Sequence, residues 1–211
     1  MSVKNVAIFG ATGRTGLVTL AQALEQGYAV TVLVRDRARL PPLSPPPARV
    51  LVGDVRDPEA VAEAVKGQDA VIIVLGTRDD LGPTTVMSEG TRNIVAAMKT
   101  HGVRRVVACL SGGCPPVPRT RHPTPGSPPF PPVVPPMSPM SQRCCVPPVS
   151  PVLPVSSPAD DRPLTGSYTV TVGASPGGSR VISKHDLGHF LLRCLQDPQY
   201  DGKNVYLAGE Y

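Results

Sequence analysis

The chain has 211 residues, which favours one domain with a sizeable core. Its formal net charge is +5, but it has no Trp and only three Phe, so the sequence lacks the basic, aromatic-rich pattern of a nucleic-acid binder. Five cysteines without a zinc-type spacing indicate reduced thiols and no metal site. An apolar strand begins near the N-terminus and no segment is apolar enough to span a membrane. We therefore expect no signal peptide and a cytoplasmic location.

The first predicted strand runs directly into a glycine-rich turn. Asn5–Phe9 is an apolar run typical of a buried parallel strand. Gly10, Gly13 and Gly16 follow it at the spacing of a dinucleotide-binding turn. A helix begins at once, with apolar residues at helical spacing: Leu17, Leu20, Ala21 and Leu24. The sequence therefore predicts a pyrophosphate site at the N-terminus of this helix.

The end of the second predicted strand bears on the choice of cofactor. Ala29–Val34 is followed by Arg35 and Asp36, and two further arginines come next, Arg37 and Arg39. NAD binders usually place an acid here for the ribose hydroxyls, whereas a guanidinium forms paired bonds with a 2′-phosphate. The sequence favours NADP, and Asp36 leaves open the alternative of a solvated charged loop.

Strands and helices continue to alternate through the first half of the chain. Further strands are predicted at Arg49–Val52, 70–75 and 105–109. Asp57 caps a helix after the third strand. Another helix is predicted over 85–100, with four residues facing the core: Met87, Ile94, Val95 and Met98. This order predicts an α/β fold with a doubly wound parallel sheet of Rossmann type, in a single domain over 1–211.

Residues 112–158 interrupt the alternation, because they contain 17 of the 27 prolines. Proline lacks an N–H and fixes φ, which excludes an interior helix or a central strand. We predict a polyproline-like or disordered segment that replaces a helix and a strand.

Regular structure is predicted again after this segment. A strand over 167–172 precedes a helix capped by Ser183, and a last short strand covers 204–207. The inner face of that helix holds four apolar residues: Leu187, Leu191, Cys194 and Leu195. His185 and His189 have a metal-capable spacing, but without a third ligand they are interpreted as ordinary surface histidines.

Several segments closely resemble the NADPH-dependent flavin reductases, also known as biliverdin IXβ reductases. The similar segments before the proline-rich region are 7–13, 31–36, 52–55, 75–78, 83–90 and 92–99; the resemblance resumes at 163–166 and 180–190. It implies an atypical short-chain dehydrogenase that acts as a monomer on small molecules. NADPH would reduce FMN, FAD, riboflavin or biliverdin IXβ, with the flavin as substrate and not as prosthetic group.

The resemblance also implies roles for individual positions. The pyrophosphate would be held by Gly10, Thr12, Gly13, Arg14 and Thr15. The 2′-phosphate would be held by Arg35 and Arg39, and the adenine bordered by Asp54 and Val55. The ribose and nicotinamide would lie against Leu75, Gly76, Thr77 and Arg78. The cofactor wall would be completed by Met87, Arg92 and Cys109, and Ser111 would orient substrate or cofactor as the catalytic position.

Two features separate this sequence from typical relatives. No tyrosine is followed four residues later by lysine, so the usual proton donor of short-chain dehydrogenases is missing. The family's active-site histidines fall in the region of residues 112–158, where His122 matches no family motif, and this segment is interpreted as non-homologous. Two alternatives to a reductase therefore stay open: an NADP-binding Rossmann protein without turnover, and a non-functional variant.

Overall fold

A computed structural model describes residues 3–76, 84–111, 152–155, 161–173 and 181–209. Six strands form one sheet in the order β3-β2-β1-β4-β5-β6, and every neighbouring pair is parallel. The strands are β1 (Asn5–Phe9), β2 (Ala29–Val34), β3 (Arg49–Val52), β4 (Ala70–Ile73), β5 (Arg105–Ser111) and β6 (Val152–Val155). This confirms the predicted doubly wound parallel sheet. The strand order reverses between β1 and β4, which makes their junction the topological switch point.

In the part of the chain that the structure describes, four α-helices flank the sheet: α1 (Arg14–Glu25), α2 (Pro58–Val65), α3 (Val86–His101) and α4 (Lys184–Gln196). Alternate residues of β1 supply two separate cores. Val6 and Ile8 pack with the buried residues of α1 and α4, whereas Ala7 and Phe9 pack with those of α2 and α3. Both faces of the sheet are thus covered, as parallel strands require. Within the described ranges, none of these helices has the length and apolar character needed to cross a bilayer.

The predicted inner faces of two helices need correction. In α3 the buried residues are Gly90, Ile94, Ala97 and Met98. Met87 is 41% exposed, so its predicted core position is wrong; the buried face of α3 begins about one turn later, at Gly90. In α1 the prediction holds for Leu20 and Leu24, but Thr19 and Ala23 are also buried. Leu17 and Ala21 are only half-buried.

Strand β6 differs from the prediction for residues 112–158. Its backbone pairs with β5, with Val152 opposite Ala108 and Val155 opposite Ser111. An edge strand tolerates proline because one side of its backbone needs no ladder partner, and β6 contains Pro154. The rest of that prediction, including the lost helix and the disorder, lies outside the described residues.

The C-terminal part of the chain adds a small second sheet. β7 (Tyr168–Val172) and β8 (Val205–Gly209) pair antiparallel, which confirms the strand predicted over 167–172 and extends the last strand two residues further. The predicted inner face of α4 is also confirmed, because all four of its apolar residues are buried: Leu187, Leu191, Cys194 and Leu195.

A buried carboxylate anchors the chain ahead of β7 to α4. Asp186 is fully buried and accepts hydrogen bonds from Thr165 N at 3.0 Å, Gly166 N at 2.7 Å and Thr165 Oγ1 at 2.8 Å. Ser183 caps the same helix by accepting from His185 N at 3.1 Å, and its hydroxyl donates to Arg162 O. The segment 162–166 is therefore attached to the start of α4 by polar contacts.

Candidate nucleotide-binding site

The predicted site residues gather at the carboxyl edge of the parallel sheet. Gly10 follows β1, Arg35 follows β2, Asp54 comes two residues after β3, and Leu75 comes two residues after β4. The backbone of Ser111 ends β5 at the same edge. In open α/β sheets, ligands bind outside this edge at the switch point. The fold thus brings these positions to the place where a dinucleotide would bind.

The turn after β1 has no room for a side chain at Gly10 or Gly16. Gly10 has φ +91°, and a Cβ there would lie 2.4 Å from Val74 O. Gly13 N donates to Gly10 O at 2.9 Å, which closes the turn. A Cβ at Gly16 would lie 2.1 Å from Gly10 O, so only glycine allows α1 to pack this close to the turn. The close contacts of this turn therefore require glycine at positions 10 and 16.

The N-terminus of α1 differs from that of α2 in its N-cap residue. Its N-cap is Gly13, with no side-chain hydrogen bond and no acidic residue in the first turn. By contrast, Asp57 caps α2 by accepting from Glu59 N at 3.0 Å. The first-turn N–H groups of a helix have no intrahelical acceptor and carry a positive partial charge. Together with the glycine turn, this arrangement fits a pyrophosphate group.

Arg35 is exposed at the end of β2, beside two acidic residues that have other partners. Asp36 Oδ1 accepts from Ala38 N at 2.9 Å and caps a short 3-10 helix over Arg37–Arg39. Asp54 binds Arg56 through both carboxylate oxygens. This pairing, with a smaller contribution from Arg35, lowers the pKa of Asp54. In the part of the chain that the structure describes, Arg35 forms no ion pair.

Two residues of α3 that the sequence did not single out shape the loop after β3. Asn93 Nδ2 donates to Val55 O at 3.2 Å and to Arg56 O at 2.9 Å. A Cβ at Gly90 would lie 2.8 Å from Val55 Cγ1 and 3.2 Å from Leu75 Cδ1. Helix and loop therefore pack with no spare room. The only sequence signal was a glycine and an amide residue three positions apart on a helix.

The remaining predicted site residues differ in their exposure, and some of them lie outside the described residues. Met87 and Arg92 are exposed on α3, and Gly76 is exposed after β4. Cys109 packs partly against the core, and its burial raises the pKa of the thiol to about 12, which favours a core cysteine over a nucleophile. Thr77, Arg78 and the side chain of Ser111 lie outside the described residues. Among the residues described, no three His, Cys, Asp or Glu side chains group as metal ligands.

A family profile described as NAD(P)H-binding matches residues 10–131, which is more than half of the chain. The chain belongs to the NAD(P)H-binding family. Membership of this family supports a nicotinamide dinucleotide as the cofactor class of the chain.

Curated relatives of this NAD(P)H-binding protein include enzymes of different kinds. The N-acetyl-alpha-D-glucosaminyl-diphospho-ditrans,octacis-undecaprenol 4-epimerase of Escherichia coli O157:H7 is 32% identical over 108 residues, covering 49% of this chain and 31% of that protein. The 3-diazoavenalumate denitrifying reductase of a Streptomyces species is 33% identical over 114 residues, covering 49% and 36%. The chain thus spans about a third of the length of these relatives.

Solved structures match the whole architecture at low sequence identity. ChuY of Escherichia coli O157:H7, described as an anaerobillin reductase, has a TM-score of 0.72 and 16% identity, covering 98% of both chains. A Rossmann-fold NAD(P)-binding family protein of Shigella flexneri has a TM-score of 0.70 and 22% identity, covering 99% of this chain and 95% of the other. These similarities confirm the Rossmann fold.

Proposed function

We propose that this chain is an NADPH-dependent reductase of flavins (FMN, FAD or riboflavin) and of biliverdin IXβ. The observation that carries the proposal is the glycine turn that leads into α1 through the N-cap Gly13, with Arg35 at the adjacent strand end. The sequence resemblance to flavin and biliverdin IXβ reductases supports the acceptor class. The structural likeness to ChuY, described as an anaerobillin reductase, supports a reductase.

Different residues would bind different parts of the cofactor. The first turn of α1 would hold the pyrophosphate, and Arg35 would pair with the 2′-phosphate. The loop at Asp54 and Val55, held by Asn93, would border the adenine. When bound, NADPH supplies a hydride, which carries two electrons to the acceptor.

The chain's own chemistry suits a conjugated acceptor. Its sequence offers no tyrosine paired with a lysine four residues later as proton donor, and the partly buried Cys109 has a raised thiol pKa and stays protonated. A reduced flavin or bilin can take its proton from solvent, so positioning of the two reactants is the main task. We further propose that Ser111 orients the substrate, and that the protein is a cytoplasmic monomer acting on small molecules.

The direct test is NADPH consumption by the purified chain with FMN as acceptor, followed by the loss of nicotinamide absorbance. We expect oxidation that requires both FMN and protein and is faster with NADPH than with NADH. Saturable NADPH binding without FMN-dependent oxidation would instead support the NADP-binding protein without turnover. The absence of any nicotinamide binding would contradict the assignment of the site.

Changing Arg35 to glutamine tests the choice of cofactor. Charge-assisted hydrogen bonds contribute about 1.5–3 kcal/mol, so the Kd for NADPH should rise about ten- to a hundredfold. The Kd for NADH should hardly change, because NADH has no 2′-phosphate. Both constants are measured by nicotinamide fluorescence. Arg37→Gln, an exposed arginine of the same loop, serves as the matched control, and an equal loss in both variants would exclude a specific role for Arg35.

A further inference from the structure

We propose that Arg56 is a positioning residue that determines cofactor specificity: it engages the Asp54 carboxylate and so leaves Arg35 available to a 2′-phosphate. This inference rests on the NADPH selectivity proposed above. It assigns a role to a residue that lies outside the predicted binding set.

Arg35 and Asp54 leave the sheet at neighbouring points. Val34 lies opposite Val52 in the β2–β3 pair, and Gly53 N donates to Val34 O at 2.9 Å just beyond it. The positive charge of Arg35 makes a small contribution to lowering the pKa of Asp54, in keeping with the neighbouring positions of the two residues at the sheet edge. An unengaged carboxylate at this position would therefore compete with a phosphate for the same guanidinium.

Arg56 engages that carboxylate with three hydrogen bonds. Its Nε donates to Asp54 Oδ1 at 3.0 Å and its Nη2 to Asp54 Oδ2 at 3.0 Å. Its backbone N also donates to Oδ1, at 2.8 Å. Because the two residues are only two positions apart, forming this pair costs less conformational entropy than forming an ordinary surface ion pair. Oδ2 keeps one lone pair, which can accept from an adenine amino group.

The main chain of Arg56 is itself held in place by α3. Asn93 Nδ2 donates to Arg56 O at 2.9 Å, and Glu89 adds a favourable charge interaction with the guanidinium. The pair is partly exposed, with side-chain exposures of 52% for Arg56 and 30% for Asp54. It therefore contributes little to stability, and its consequence is the orientation of charge at the sheet edge.

Removing Arg56 would let the Asp54 carboxylate compete with a 2′-phosphate for Arg35. Asp54 would then be free to pair with Arg35 or to repel a 2′-phosphate. The loss should fall on NADPH and spare NADH. A purely structural role for Arg56 would weaken both cofactors alike.

The experiment compares Kd values for NADPH and NADH, by nicotinamide fluorescence, in the full chain and its variants. In Arg56→Gln we expect the Kd for NADPH to rise about three- to fivefold, the range of an exposed ion pair, and the Kd for NADH to change less than about twofold. Adding Asp54→Asn to that variant should restore most of the NADPH affinity, since it removes the competing charge. Arg49→Gln is the matched control: it breaks the exposed pair between Arg49 Nη2, at the start of β3, and Glu63 Oε1 on α2, which are 2.6 Å apart.

The outcomes separate this inference from the proposed function. An NADPH preference in the parent chain that Arg56→Gln leaves unchanged would overturn the role of Arg56 alone. Equal losses for both cofactors, or a double variant that is not rescued, would also overturn it. A parent chain that does not distinguish NADPH from NADH would remove the basis of both proposals.

Discussion

Replacing Gly16 by alanine will abolish NADPH binding. The added Cβ would lie 2.1 Å from Gly10 O, 2.8 Å from Gly10 C and 3.0 Å from Ala11 Cα. All three are backbone atoms, so no side chain can rotate away and α1 must shift from the turn. Overpacking of this kind costs about 1–3 kcal/mol of stability. The larger effect is on binding, because the first turn of α1 no longer faces the sheet edge.

The measurement is a fluorescence titration with NADPH, paired with urea unfolding. The matched control is Gly27→Ala just past the other end of α1, where φ is +81° and a Cβ would meet nothing within 4 Å. That change should cost about 1–2 kcal/mol of stability through its left-handed backbone but leave NADPH binding intact. Normal NADPH affinity in the Gly16 variant would refute the packing argument for the turn.

Replacing Asp186 by alanine will lower the free energy of unfolding by about 3 kcal/mol or more. The fully buried carboxylate accepts three hydrogen bonds from Thr165 and Gly166, and bonds to a charged group contribute about 1.5–3 kcal/mol each. Residues 165 and 166 are exposed, so water can replace some of the lost hydrogen bonds. The free energy of unfolding of Asp186→Asn should lie between those of the parent chain and Asp186→Ala, because the amide keeps one acceptor oxygen. Urea unfolding followed by circular dichroism gives the values.

Asp197 provides the control for this change, because it sits at the opposite end of α4. Among the described residues, it accepts hydrogen bonds from Gln199 N at 3.1 Å and from the Gln199 side chain, and its Oδ2 lies 3.9 Å from Arg193 Nε. Asp197→Ala should therefore cost about 1 kcal/mol. Similar losses in both variants would show that the contacts of Asp186 have no special weight.

Local sequence patterns were sufficient for the first half of the fold. The bounds of β1, β2 and β3 follow from short apolar runs bordered by glycine or charge, and the Asp57 cap from its position before Pro58. The glycine turn and Arg35 were likewise predictable, because a dinucleotide site depends on spacing within one βαβ unit. Their placement at one sheet edge follows from the parallel pairing of β1 with β2.

Features that depend on distant partners were not predictable. β6 exists because β5 offers a ladder partner far away in sequence, while the local composition around Pro154 argues against a strand. Asn93 donates a hydrogen bond to the carbonyl of Val55, and Asp186 accepts one from the backbone N–H of Thr165. Each of these contacts joins segments whose proximity is decided only when the sheet has formed.

The bonds from Asn93 to two successive carbonyls have a thermodynamic consequence for the loop at Val55 and Arg56. With both peptide groups held, this loop has little conformational entropy left to lose when a ligand arrives. Ordering that would otherwise oppose association has already been completed during folding. The loop should therefore act as a rigid wall, and a change that loosens α3 should weaken affinity through entropy without touching the ligand.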